Sequence, residues 1–454
     1  MRKILLGTTA VVGAALLAPT MAAAQQAPTV RIGGFFRAYY GNTVQSGNSS
    51  IGQLQNTIGA GDPSAAAQST AGLNTASNGN EFQRQSARLG HNDFSTDAEV
   101  HVFVNGKAAN GLTYGAVVEI NFNQGEGAVR DARRAVQPKT SAGIDEMYAF
   151  VAHPTLGQIR FGDEDGPMGG LMNSGFVTNF GTGGIYGDWE SFAVRPNRTM
   201  TTPGGLGDNT KIIYLSPQFF GFDFGASWAF NEGDGEDTGC LNSFASVNCD
   251  RVYAVTNNQS FGRSHQLPGR INELQAMLRW RGNIAGVGIS ASVGTMQSGV
   301  IRSADPLTGA ITKNLRSPQV YQAGLQATAY GFTVGGAYMW GNTSFFYIPT
   351  ARGDRDMEQF FVGGSYTFGP ISVGANGFWG HYGNTGAAPT RSQRRWGYGI
   401  GATYRLAPGM DLVAEYVRHE VKQPGNANIH GLVNYLGTDR MRTQVFLTGV
   451  RVAF

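Results

Sequence analysis

The chain has 454 residues, a formal net charge of +3, 14% charged residues, 11% aromatics and 66 glycines. So even a balance excludes a strongly basic nucleic-acid binder, and no stretch beyond the N-terminal segment reaches the apolar length of a membrane-spanning helix. A mean hydropathy of -0.20 is compatible with a membrane β-barrel, in which lipid-facing and water-facing residues alternate and cancel in any window.

The chain opens as an export signal. Met1, Arg2 and Lys3 form a basic start, Ile4 to Leu17 an apolar run, and Ala22, Ala23 and Ala24 precede Gln25. The run is too short for an anchor and a small-residue cleavage site follows it, so residues 1–24 read as a signal peptide and 25–454 as the mature domain. Loss of Arg2 and Lys3 takes the formal charge from +3 to +1.

From Val30 onward the organising signal is alternation with period two. Leu112, Tyr114, Ala116, Val118, Ile120 and Phe122 are separated by Thr113, Gly115, Val117, Glu119 and Asn121, so one face is apolar and the other largely polar. The same pattern recurs at Phe222 to Phe230, at Leu274 to Trp280 and at Trp396 to Leu406. A soluble sandwich would alternate too; the connections discriminate. Short breaks at Ala109-Asn110-Gly111, Pro154 to Gly157, Pro217 to Gly221, Gly282 to Gly286, Tyr330-Gly331, Gly369-Pro370 and Ala407 to Met410 take turns with long polar loops. Short turns on one rim and long loops on the other are the plan of outer-membrane barrels, with the turns periplasmic.

Counting the alternating segments predicts an all-β fold: a transmembrane antiparallel barrel of about sixteen strands, from Val30–Tyr40 to Met441–Phe454. An even count lets the first and last strands pair, and closure is required because an open sheet edge in hydrocarbon leaves backbone groups unsatisfied at several kcal/mol each. The Gly, Ser, Asn and Ala run from Ser46 to Asn80 reads as a surface loop. Cys240 and Cys249 are the only cysteines; export to an oxidising compartment predicts a disulfide within one loop, and two cysteines lack the remaining ligands of a closed zinc site.

The last strand places Val452, Val450, Thr448 and Phe446 in phase with Phe454. A terminal Phe behind alternating apolar residues resembles the signature by which outer-membrane barrels are recognised by the assembly machinery. Three further stretches, Asp145 to Phe150, Gly157 to Gly166, and Ala407 to Met410 leading to Glu415-Tyr416, resemble the general-diffusion porins of Gram-negative bacteria, in particular the alphaproteobacterial type. The resemblance implies a homotrimer in the outer membrane, surrounded by its lipids, with a water-filled pore in each subunit for ions and small hydrophilic solutes. It also implies a third loop, here about 163–209, folded inward to narrow the channel.

In such porins acidic loop residues face basic wall residues across the narrowest point. The loop offers Asp163, Glu164, Asp165, Asp188 and Glu190. Arg37 and Arg160 are the first basic candidates, with Arg84 and Arg88 behind them. At about 2.3 Å of height per tilted residue, Arg37, His101 and Glu119 become mid-depth wall residues, whereas Arg31, Lys107, Arg281, Arg405 and Arg451 fall nearer the periplasmic rim. Any one of these charges could instead solvate the lumen. Arg418, in phase with the lipid face, would cost roughly 2–4 kcal/mol at the midplane, which predicts headgroup level, a subunit contact or a bulge.

No catalytic motif, cofactor or metal ligand set emerges. G-x-S-x-G, H-E-x-x-H and the P-loop are absent, and the loose glycine pattern at Gly286 to Ala291 enters a strand instead of a helix. The acidic run Glu232, Asp234, Glu236, Asp237 reads as a solvated loop before a Ca²⁺ site. A substrate-specific channel, a structural or adhesive barrel, and a lipid hydrolase needing a Ser–His pair at lipid height are the competing readings.

Overall fold

The computed structural model describes residues 26–47, 91–122, 142–193, 209–230, 254–255, 270–300, 303–304, 315–343, 349–350, 352–382, 393–423 and 439–454. Sixteen strands close into one barrel: β1 Gln26–Gly47, β2 Asn92–Lys107, β3 Thr113–Asn121, β4 Gly143–His153, β5 Gly157–Asp163, β6 Thr210–Leu215, β7 Phe222–Ala229, β8 Arg270–Ile284, β9 Val287–Val300, β10 Gln319–Ala329, β11 Phe332–Gly341, β12 Met357–Phe368, β13 Ile371–Tyr382, β14 Gln393–Ala407, β15 Met410–Gln423 and β16 Asp439–Ala453. Each pairs antiparallel with its neighbours in sequence. β1 and β16 close the ring from Phe35 opposite Ala453 to Gly47 opposite Met441, and the Gly34 and Phe454 backbones exchange hydrogen bonds of 3.0 and 3.1 Å. Closure leaves no edge to desolvate in lipid. Ala254–Val255 and Ser303–Ala304 form a separate two-stranded parallel sheet.

The short connections are tight turns. Phe220–Gly221, Ala285–Gly286 and Tyr330–Gly331 all have positive φ at both central positions, the type I′ signature that matches the twist of paired strands. β8 runs on through Ile284, so the break expected over Gly282 to Gly286 shrinks to two residues. β1 likewise continues past the expected Tyr40, because its pairing with β2 and β16 persists to Asn42 and Gly47. Strand pairing, not apolar content, sets the ends of these elements.

Register fixes which side chains share a face. The outward set is apolar and exposed, including Phe222, Phe224, Trp228, Leu274, Leu278, Val334, Trp340, Phe360, Val362, Trp379 and Ile400. A register shift between β3 and β4 lies between Val118 and Ile120. Two β4 residues, Asp145 and Glu146, stand against Glu119 alone there, so Ile144 and Met147 both point outward while Glu146 is buried. Arg418 is also outward, eight residues beyond Met410. Pairing of β14 and β15 is continuous through it, so no bulge removes it from that face. Its guanidinium lies 5.9 Å over the Trp396 ring, next to Glu420, which binds Arg440 at 2.8 Å and Arg442 at 3.2 Å.

The inner face departs from the polar expectation. Met277, Met296, Val320, Met339, Met357, Phe361, Phe378, Val413, Val417, Val445 and Leu447 line it and are buried with Met168, Met172, Ile185, Trp189 and Phe192 of the segment after β5. Period two was legible; that part of the wall would be apolar to receive another segment was not. Each large side chain fully removed from water there contributes about 1.5–3 kcal/mol, which offsets the entropy of ordering that segment.

Candidate functional site

Among its described residues, 164–193, the segment after β5 has little regular structure: one π turn at Pro167–Leu171 and 3₁₀ turns at Gly184–Tyr186 and Asp188–Phe192. Its backbone groups therefore need partners elsewhere, and inner-face side chains supply them. Gln275 on β8 accepts from Met168 N at 3.2 Å. Ser292 on β9 accepts from Ser174 N at 3.0 Å, while the segment's side chains are held as well, Gln322 on β10 donating to Asn173 Oδ1 at 2.7 Å and Ser365 on β12 to Asn179 Oδ1 at 2.7 Å.

Two residues hold the turn at 182–186. Glu415 on β15 is buried and accepts from the backbone N–H of Thr182, Gly183 and Gly184 at 2.9, 3.0 and 2.6 Å, and from the Thr182 hydroxyl at 2.8 Å. Charge-assisted bonds of this kind are the strong ones. Asn376 on β13 accepts from Ile185 N at 2.8 Å and donates to the carbonyls of Val177 and Gly183 at 3.0 Å each. Close approach is possible because β14 presents Gly399 here; a Cβ at that position would collide with the Gly184 backbone. Thr182 passes the order on, its hydroxyl accepting from Asp188 N at 2.9 Å.

Asp188 thus stands opposite the wall of β1 and β2. Arg37 reaches it at 3.2 Å and reaches Asp97, its register partner on β2, at 3.3 Å. The Arg37 guanidinium also stacks 3.9 Å over the Phe35 ring. Asp188, one of the expected loop acids, thus meets a wall arginine across the segment. Glu190 sits half-buried on the same 3₁₀ turn. Glu164 binds Arg160 at 2.8 Å, a pair four residues apart on one side of the ring; Arg160 lies 5.0 Å over Tyr148, and the Glu164 carbonyl accepts from Lys211. Asp163 ends β5 and accepts from the Thr210 hydroxyl at 2.5 Å, while Asp165 is buried beside it.

His101 and Glu119 share the inner face two inward positions below the Arg37–Asp97 pair, with His101 Nε2 3.1 Å from Glu99 and 3.6 Å from Glu119. Toward the short-turn rim Asp223 binds both Arg279 and Arg281 at 2.7 Å, and Asp411 binds Arg451 at 2.7 Å. Sequence reasoning passed over Asp97, Glu99, Lys211, Asn376 and Glu415 as site residues. Phase could have found Asp97 and Glu99, four and two residues before His101, and Glu415, which alternates with outward Ala414 and Tyr416. Residues 1–24, Arg84, Arg88, 194–208, the acidic run 232–237, Cys240 and Cys249 lie outside the described residues.

No curated protein sequence matches the chain. Among solved structures it is similar to the loop L8 deletion mutant of OmpT, an outer membrane protein of Vibrio cholerae, at 12% identity over 94% of this chain and 100% of that one, TM-score 0.49. The anion-selective porin from Comamonas acidovorans gives 12% identity over the same shares and a TM-score of 0.48. The trimer form of Vibrio cholerae OmpT gives 11% identity, 94% and 100% coverage and a TM-score of 0.48. A family model for the Gram-negative porins matches residues 7–424. That match spans most of a chain already seen to close as a sixteen-stranded antiparallel barrel, and the chain belongs to the Gram-negative porin family, an outer-membrane channel that crosses the bilayer as a multi-pass β-barrel.

Proposed function

We propose that this porin mediates passive diffusion of ions and small hydrophilic solutes, with the segment 163–209 as its constriction loop and a homotrimer as its assembled form. The observation that supports this reading best is the pairing of Arg37 with Asp188, because it sets a wall cation against a loop anion where the segment meets β1. Around it Asp97, Glu99 and Glu119 add negative charge, with Arg160 and Lys211 further round the ring. The charges clustered around this contact orient water and polar solutes in the lumen beside it, so a hydrated ion exchanges one polar environment for another, whereas an apolar solute must disrupt that order. Carboxylates outnumber cations beside Arg37, and charges in a narrow low-dielectric channel are weakly screened; the pore is weakly cation-selective. Export through the signal 1–24 and recognition of the terminal strand ending in Phe454 by the barrel-assembly machinery complete the reading. The family supplies channels, and catalysis has no part in it.

Liposome swelling tests the proposal. Rates that fall smoothly with sugar size and do not saturate are expected. Saturable uptake of one solute would replace diffusion by a substrate-specific channel, and absence of swelling would leave a structural or adhesive barrel.

A further inference from the structure

Glu99, His101 and Glu119 form a side-chain cluster distinct from the Arg37–Asp188 contact. Glu99 and His101 are two apart on β2 and therefore point to the same inner face, and Glu119 is the register partner of His101 on β3. One donor atom from each lies within 4.8 Å of the other two. In a tetrahedral zinc site with bonds of roughly 2.1 Å, donor atoms stand about 3.4 Å apart. The two distances from His101 Nε2, 3.1 Å to Glu99 Oε2 and 3.6 Å to Glu119 Oε2, bracket that edge.

Outer contacts orient the same atoms. Asn121 donates to Glu99 Oε1 at 3.3 Å, which turns the other carboxylate oxygen toward His101. The imidazole is held edge-on between Phe35 and Phe103, with ring centroids 6.2 and 6.1 Å away. Metal ligands are commonly fixed by such outer partners, whose removal costs 10–100-fold in affinity. Glu99 is buried and His101 half-buried, so a fourth position can face lumen water. One nitrogen with two carboxylate oxygens suits a zinc-like divalent ion better than calcium, which prefers six to eight oxygens.

We propose that Glu99, His101 and Glu119 bind one zinc-class divalent cation in the lumen, below the Arg37 layer. A bound dication neutralises two carboxylates of the wall, so occupancy lowers cation preference and makes the channel responsive to trace metal. The site does not depend on the constriction assignment, since binding is readable without current.

Isothermal titration calorimetry of untagged, detergent-solubilised full-length exported protein with zinc chloride gives the first reading, and zinc-dependent reversal potential in planar bilayers the second. One zinc per chain is expected, with calcium and magnesium at least about tenfold weaker, an affinity gap of about 1.4 kcal/mol. His101→Asn and Glu119→Gln should each weaken zinc at least about tenfold, and Asn121→Ala about tenfold through orientation of Glu99. Copper(II) bound to the wild-type chain should show nitrogen hyperfine coupling that is lost in His101→Asn. No zinc binding to the folded wild-type protein overturns the proposal, including the case in which only protons change the current. Binding that persists unchanged in both ligand variants overturns it as well. If either variant fails to fold, the other and the wild-type metal preference decide.

Discussion

Arg37 and Asp188 lie 3.2 Å apart across 151 residues of chain, joining the first strand to the turn that Glu415 holds from the fifteenth. The order runs Glu415, Thr182, Asp188, Arg37, each link a hydrogen bond or ion pair. A strand near each end of the chain thereby positions one segment between them.

Removing the cation at the end of that relay should shift selectivity. Arg37→Gln is expected to raise the cation-to-anion permeability ratio roughly twofold, the effect of about 0.5 kcal/mol for one unit charge some 8 Å from a permeating ion in water. Reversal potentials in a salt gradient measure it. An unchanged ratio would place the permeating path away from Arg37.

Glu415 is the mechanical counterpart. Glu415→Ala leaves three backbone N–H groups and a hydroxyl without this acceptor, and should destabilise the segment by on the order of 3 kcal/mol. Open-channel current noise should rise, and hydrogen exchange at 182–186 should accelerate while the strands stay protected. Equal exchange in variant and wild type would show that apolar packing of Trp189 and Phe192 suffices to hold the turn.

The facing of β3 is open to a direct check. Spin labels at Tyr114, Val118 and Ile120 should be accessible to a lipid-soluble relaxant, and labels at Glu119 and Asn121 to a water-soluble one. Equal water accessibility at Ile120 and Asn121 would contradict the register across the bulge.

Cys240 and Cys249 are expected to be bridged and dispensable for conduction. Alkylation under non-reducing conditions should label neither, and the double Ser variant should conduct as the wild type does. Two labelled thiols in the exported protein would rule the bridge out.

The sequence carried the barrel because each strand needs only an alternating pattern and a turn, both local. Tyr114, Val118 and Ile120 against Glu119 and Asn121 could be sorted by phase alone. The anchoring of the segment after β5 was hidden for the opposite reason. Glu415 and Thr182 are 233 residues apart, and nothing in either neighbourhood names the other. The inward methionines carry no local signal either, because hydrophobicity does not say which side of a sheet a second segment will cover. Depth and phase single out Arg37 from the sequence, whereas its ion-pair partner Asp97 stands beside a long loop and Asp188 is one acid among five. Glu99, His101 and Glu119 escaped as a set because their spacing is that of a strand pair, two along and one across, and not the helical spacing of familiar metal motifs.

Single-channel recording across planar bilayers in a salt gradient tests the central claim, that a water-filled pore is narrowed by the carboxylates of the segment after β5. Stepwise, ohmic conductance with a reversal potential of weak cation selectivity is predicted. Asp188→Asn with Glu190→Gln should move that potential toward anions, whereas Asp234→Asn with Glu236→Gln should leave it in place. Absence of conductance steps, or an unchanged reversal potential in a folded Asp188→Asn, Glu190→Gln variant, would contradict the claim and move the constriction to wall residues such as Glu119.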